Sequence, residues 1–131
     1  GDGGIYSSLI DLARWDAAWY DDRLLSPTSR ALAVRPATAT NETDVAHYGF
    51  GWRLAQLDNG EWLTYHTGWW HGFKNYYLHN PKDNSAIIIL GNMANHALGR
   101  VNIVQSILYP EKANLFMKGE PLPTEFVLGG N

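Results

Sequence analysis

The chain has 131 residues, a formal charge of −3, and 45% hydrophobic against 18% charged residues, the balance of a single globular domain rather than a disordered chain. An acidic balance without any Lys/Arg cluster excludes the electrostatic footprint of a nucleic-acid or anionic-membrane binder, and no apolar run is long enough to cross a bilayer. With no cysteine there is no disulfide framework, thiol nucleophile or thiolate metal site.

The chain opens Gly1-Asp2-Gly3-Gly4, with neither an initiator Met nor a charged-then-apolar leader, and reads as an internal stretch of a longer protein. Ser7-Ser8-Leu9-Ile10-Asp11 predicts a helix start, with Ser8 as cap and Asp11 answering back three residues later. The helix should run to about Tyr20 with Leu9, Leu12, Trp15 and Trp19 as its apolar stripe, and Asp21-Asp22 should end it. The charges of Arg14, Asp16, Asp21 and Asp22 fit a solvated helix face. Ser26-Pro27 opens a second, shorter helix that Pro36 stops. Residues Ala37 to His47 lack a period and predict a loop. The Asn41-Glu42-Thr43 sequon within it is too short a pattern to carry weight.

The sheet follows. Tyr48 to Ala55 alternates, with Tyr48, Phe50, Trp52 and Leu54 on one face and glycine at two positions of the other, which invites close backbone approach. Asp58-Asn59-Gly60 is a turn signal. From Glu61 to His66 alternation places Trp62, Thr64 and His66 on one face and Leu63 and Tyr65 on the other, so His66 stands at the rim of a sheet. Gly68 and Gly72 bracket a short connection, and a strand from Phe73 to Leu78 leaves it. Asn80-Pro81-Lys82-Asp83-Asn84 is a further turn. Ser85 to Leu90 is apolar without alternation, so both of its faces should be covered. Asn95 is a plausible cap for a closing helix from about His96 to Leu108, stopped by Pro110. The remainder, 110–131, has the Gly and Pro content of an extended tail or linker. Helix, helix, four hairpin-spaced strands and helix indicate an α+β protein, an antiparallel sheet with helices packed on its faces.

Several residues could carry chemistry. His66, Thr67, Gly68 and Trp69 gather polar groups at a strand end, and Trp70 and His71 stand beside them as candidates for substrate contact. Trp69 and Trp70 could wall a substrate site or simply pack in a core. His66, His71 and His79 match no ligand spacing, so no metal is expected. Asp2 lies near glycines, but no phosphate-loop lysine follows, and no cofactor is expected.

Six segments in order carry a resemblance. They are Gly1-Asp2-Gly3-Gly4-Ile5-Tyr6-Ser7-Ser8 leading to Asp11-Leu12-Ala13-Arg14-Trp15; Leu24-Leu25-Ser26; Tyr48-Gly49-Phe50-Gly51-Trp52; His66-Thr67-Gly68; Asn80-Pro81; and Leu90-Gly91-Asn92. Together they resemble the C-terminal half of the serine β-lactamase-like family, which groups class C β-lactamases, D-Ala-D-Ala carboxypeptidases, D-aminopeptidases and esterases. The resemblance covers residues 1–109 and implies part of a β-lactamase/transpeptidase-like fold. His66-Thr67-Gly68 would be the third catalytic box on a sheet-edge strand, with the Trp69 N–H as one of two oxyanion-hole donors. Thr67 could bond a substrate carboxylate, and histidine in place of lysine favours an esterase or aminopeptidase over a carboxylate-bearing lactam. The family's Ser-x-x-Lys and Tyr-x-Asn boxes are absent from these residues, so this stretch alone cannot form an acyl-enzyme. The resemblance further implies a partner, the N-terminal half in the same or a second chain, and a bacterial, periplasmic or secreted parent. An open edge at Ser85–Leu90 would invite that half or a second copy of the chain. The substrate would be a small molecule or peptide. Two other readings stay open: a carbohydrate- or peptide-binding module using Trp52, Trp62, Trp69 and Trp70 as a stacking platform, and a structural or partner-binding domain that has lost catalysis.

Overall fold

A computed structural model describes residues 3–39, 47–56, 60–93, 104, 107 and 108. Two helices, α1 (Leu9–Ala18) and α2 (Pro27–Ala33), precede six strands: β1 (Thr38–Ala39), β2 (His47–Tyr48), β3 (Arg53–Gln56), β4 (Trp62–Trp70), β5 (Phe73–Asn80) and β6 (Ser85–Gly91). The strands form one antiparallel sheet in sequence order. The expected α+β class is what the chain adopts.

Both helix starts follow from their caps. The Ser8 hydroxyl accepts from the Asp11 amide at 3.1 Å, and Ser26 does the same for Ser29 at 3.2 Å with Pro27 at the first helical position. The Asp11 carboxylate does not return to the Ser8 amide. It takes the Ser8 hydroxyl proton at 2.8 Å and pairs with Arg14 at 3.0 Å. The first helix ends at Ala18, two residues short of the expected end, and the turn behind it passes through Asp22 at φ 60°.

Strand register sorts the side chains. Pairing of Leu54 with Thr64, Thr64 with His79, His66 with Tyr77 and Tyr77 with Ile88 puts these residues on one face. There Trp52 and Leu54 form a core with Trp19 and Ala33, joined by Trp62 and Tyr77. The other face holds Ala55, Leu63, Tyr65, Tyr76, Leu78 and Ile87, with Ile89 and Val104 packed against them. The expectation that Trp62, Thr64 and His66 oppose Leu63 and Tyr65 is therefore met. Helix α1 packs near β6, and Val104, which is helical, touches the opposite face. Cover is incomplete, because Leu90 remains 42% exposed.

Four expectations need correction. Thr38–Ala39 is no loop; it pairs with His47–Tyr48. The strand foreseen over Tyr48–Ala55 is broken after Tyr48 and resumes at Arg53, with Gly51 at φ 78° between them. After Tyr48 the chain turns to α2, the Phe50 amide bonding the Ala33 carbonyl oxygen at 2.9 Å; glycine at position 49 permits that approach, since a Cβ there would lie 2.4 Å from the same oxygen. Phe50 is turned out to 63% exposure instead of joining Trp52 and Leu54 in the core. Third, β4 does not stop at His66. It continues to Trp70, Gly68 pairs with Asn75, and the reversal is the two-residue turn His71-Gly72. Fourth, Leu9 is exposed, and Asp16 is buried rather than solvated. The 80–84 turn forms as expected: the Asn84 amide bonds the Asn80 carbonyl at 3.0 Å and Asp83 accepts from the Ser85 amide at 2.9 Å. Asn41-Glu42-Thr43, Asp58-Asn59, Asn95 with most of the closing helix, and the 110–131 tail lie outside the described residues.

Candidate active site at the free margin of strand β4

The pairing of β4 changes along its length. From Trp62 to Tyr65 it is flanked by β3 and β5; from His66 to Trp70 it pairs with β5 alone among the described residues. In a two-residue hairpin the pair closing the turn, here Trp70 and Phe73, is the hydrogen-bonded one. Main-chain groups of Trp70, Gly68 and His66 therefore face β5, and those of Trp69 and Thr67 face the open margin. The Trp69 N–H and the Thr67 carbonyl thus emerge along one free edge.

The His66 ring leans over that same edge. Its Nδ1 lies 2.7 Å from the Thr67 carbonyl oxygen and its Nε2 2.8 Å from the Tyr48 hydroxyl. Tyr48 meets it edge-on, with ring centroids 6.0 Å apart and planes at 84°. Gly68, on the His66 face, leaves open space there: a Cβ would meet only Asn75, at an ordinary 3.7 Å. Local packing therefore has room for a side chain at this position.

Beside His66 opens a cavity of about 920 Å³, lined by Thr67, Gly68 and Asn75 and, on its apolar walls, by residues including Leu12, Trp15, Trp52 and Leu90. Ile5, Leu32 and Phe50 also border it and are largely exposed. The Trp19 indole N–H is buried at its wall and has no hydrogen-bond partner among the described residues. An apolar surface of this kind, with an unsatisfied donor, is the shape of an interface or binding cleft.

Of the expected site residues, the structure gathers His66, Thr67 and Gly68 at the cavity. Trp69, Trp70 and His71 do not line it and instead form the exposed hairpin tip. Trp69 and Trp70 point to opposite faces by alternation; Lys74 Nζ sits 4.5 Å from the Trp69 ring centroid, and the Trp69 indole donates to the His71 carbonyl at 3.1 Å. His71 takes φ 50°, a backbone that non-glycine residues adopt uncommonly. The stacking platform of Trp52, Trp62, Trp69 and Trp70 does not exist as one surface, because Trp52 is core and the hairpin pair diverges.

Sequence reasoning missed two groups. One is Tyr48, whose role requires the strand break that follows it. The other is a buried cluster under α1, where the Asp16 carboxylate accepts from the Tyr77 hydroxyl and lies 2.9 Å from His79 Nδ1. The Tyr20 hydroxyl meets the His79 ring at 2.5 Å. Burial, then the bond to Asp16 and its charge, push the Tyr77 hydroxyl well above the ordinary tyrosine range. The missed signal is that Asp16 stands four residues after Leu12 and three before Trp19, inside the apolar stripe.

Comparison with known proteins gives the family. The family described as Beta-lactamase matches residues 1–103. Penicillin-binding protein 4* of Bacillus subtilis (strain 168) is 32% identical over 92 residues, 70% of this chain and 20% of that protein, so the chain spans about a fifth of the curated relative it matches. No solved structure matches. Among the described residues no helix is long and apolar enough to cross a membrane. With an α+β antiparallel sheet and a family match over residues 1–103, the chain belongs to the beta-lactamase family of serine hydrolase-like proteins.

Proposed function

We propose that these residues are the C-terminal portion of a serine hydrolase that transfers an acyl group from an amide, lactam or ester to serine and then to water. The supporting observation is the free margin of β4, where the His66 imidazole and Thr67 border the cleft and the Trp69 main chain follows along the same edge toward the hairpin tip. In this reading a serine in Ser-x-x-Lys, on polypeptide outside these residues, attacks the substrate carbonyl from the cleft side. The developing oxyanion takes one hydrogen bond from the Trp69 N–H and another from the serine's own amide. A donor fixed in a strand needs no reorganisation as charge develops, and losing one typically costs about a hundredfold or more in rate. Gly68 lets the acyl group lie against the strand, and Trp70 and His71 contact the substrate's outer part.

The apolar cleft wall is the seat for the nucleophile-bearing half, in the same or a second chain. Strand β6 ends the sheet order among the described residues, and its outer side offers that half, or a second copy, a strand to pair with. Export to the periplasm or exterior belongs to the same proposal, by family resemblance. The test is a burst assay with a chromogenic β-lactam and a p-nitrophenyl ester. The 131-residue chain gives no burst, and a chain extended to include Ser-x-x-Lys gives one equivalent. Hydrolysis by the short chain at the extended chain's rate overturns the assignment.

A further inference from the structure

The His66 ring has both nitrogens engaged, and the partners differ in kind. The Thr67 oxygen, 2.7 Å from Nδ1, is a carbonyl and can only accept. Nδ1 therefore carries the hydrogen. In a neutral ring that leaves the lone pair on Nε2, and the Tyr48 hydroxyl at 2.8 Å must donate to it. The tautomer thus follows from two contacts, one on the strand's own backbone and one from β2.

Tyr48 is well placed to hold this bond. It pairs with Thr38 on one side and Arg53 on the other, so its backbone is fixed within the sheet. The chain leaves the sheet immediately after it, with the Gly49 amide bonded to the Trp52 carbonyl at 2.8 Å and the Phe50 amide to Ala33. That departure is why β3 starts only at Arg53, opposite Tyr65, and why no strand among the described residues stands beside His66. The tyrosine ring reaches His66 from this end of the gap.

We infer that Tyr48 is the positioning residue of the site: its hydroxyl holds His66 as the Nδ1–H tautomer, tilted over the free margin. This rests on reading His66 as the site's imidazole. A protonated ring has no lone pair at Nε2, so charging His66 forces the Tyr48 hydroxyl to turn from donor to acceptor. A lysine at that position could only donate to the Tyr48 hydroxyl, never accept from it.

The test is a long-range proton–nitrogen correlation spectrum of the histidine rings, recorded on the ¹⁵N-labelled 131-residue chain at a pH where imidazoles are neutral. His66 is expected as the Nδ1–H form, with an Nε2 resonance displaced upfield by the bond it accepts. Tyr48→Phe keeps the ring and removes the donor, and Nε2 should then move downfield or average with the other tautomer. An Nε2–H form in the unsubstituted chain, or an Nε2 resonance unmoved by Tyr48→Phe, overturns the inference. The unsubstituted spectrum decides even if the variant fails to fold. Because no nucleophile is needed, the result is independent of the burst assay: a chain that fails here can still acylate when extended, and the reverse.

Discussion

Removing the Asp16 carboxylate should destabilise the chain far more than its place in a charged helix suggests. The Asp16 and His79 side chains are only 12% and 8% exposed, and the carboxylate is an acceptor for both Tyr77 and His79. Asp16→Ala leaves the buried Tyr77 hydroxyl without its acceptor and takes the carboxylate from His79, whose ring keeps the Tyr20 hydroxyl; a buried group left without a partner costs about 1–3 kcal/mol. We expect a loss of about 2–3 kcal/mol for Asp16→Ala, and about half that for Asp16→Asn, whose amide oxygen still accepts one bond. Trp15, Trp19 and Trp52 cluster against Tyr77, so tryptophan fluorescence in a urea titration reads the transition directly. With a slope of about 1–3 kcal/mol per molar urea, the midpoint should fall by about 0.7–3 M. In a Tyr77→Phe background the cost should shrink, because one stranded donor has gone. A change under about 0.5 kcal/mol, the ordinary value for a solvated surface residue, refutes the reasoning.

Alkaline pH should act through the same cluster. Tyr77 has its folded pKa raised, so its contribution is fully present below the unfolded value of about 10 and is lost as pH climbs above that; urea midpoints of the parent should drop faster than those of Tyr77→Phe above this pH, and parallel curves contradict it. Gly49→Ala puts a methyl 2.4 Å from the Ala33 oxygen and should cost about 3 kcal/mol, checked by the same titration; a neutral result means the chain does not pass Ala33 this closely. Gly68→Ala meets only ordinary contact and should leave stability within about 0.5 kcal/mol while slowing acylation in the extended chain; equal rates argue that nothing approaches the strand there. Ser8→Ala, at a cap that accepts from the Asp11 amide at 3.1 Å, should cost about 1 kcal/mol, and calorimetry shows whether it does.

Much of this was legible in the residues, for reasons that can be stated. Alternation from Trp62 to Tyr65 gave the faces of β4 because one-sided burial leaves a period of two, and Ser8 and Ser26-Pro27 gave the helix starts because caps act locally. The extent of β4 was not legible, since Gly68 reads as a breaker; its pairing with Asn75 is a long-range fact about the sheet. Gly49 and Gly51 suggested close approach without naming Ala33 as the neighbour, and the turn after Tyr48 depends on the bond the Phe50 amide makes to it. Asp16 was misread because a charge is assumed to face water, whereas its partners, Tyr77 and His79, lie more than sixty residues away. At the site, the order of motifs located His66-Thr67-Gly68, but the Tyr48 bond depends on where β3 begins and has no local signature.

Electrophilic stabilisation by the Trp69 amide is the claim on which the functional account depends. The direct measurement is an amide proton–nitrogen spectrum of the chain extended to include Ser-x-x-Lys, taken before and after a boronic acid forms its tetrahedral adduct with the serine. The account predicts that the Trp69 amide proton moves strongly downfield while that of Gly68, bonded toward β5, stays near its place. A Trp69 resonance that does not move when the adduct forms contradicts it.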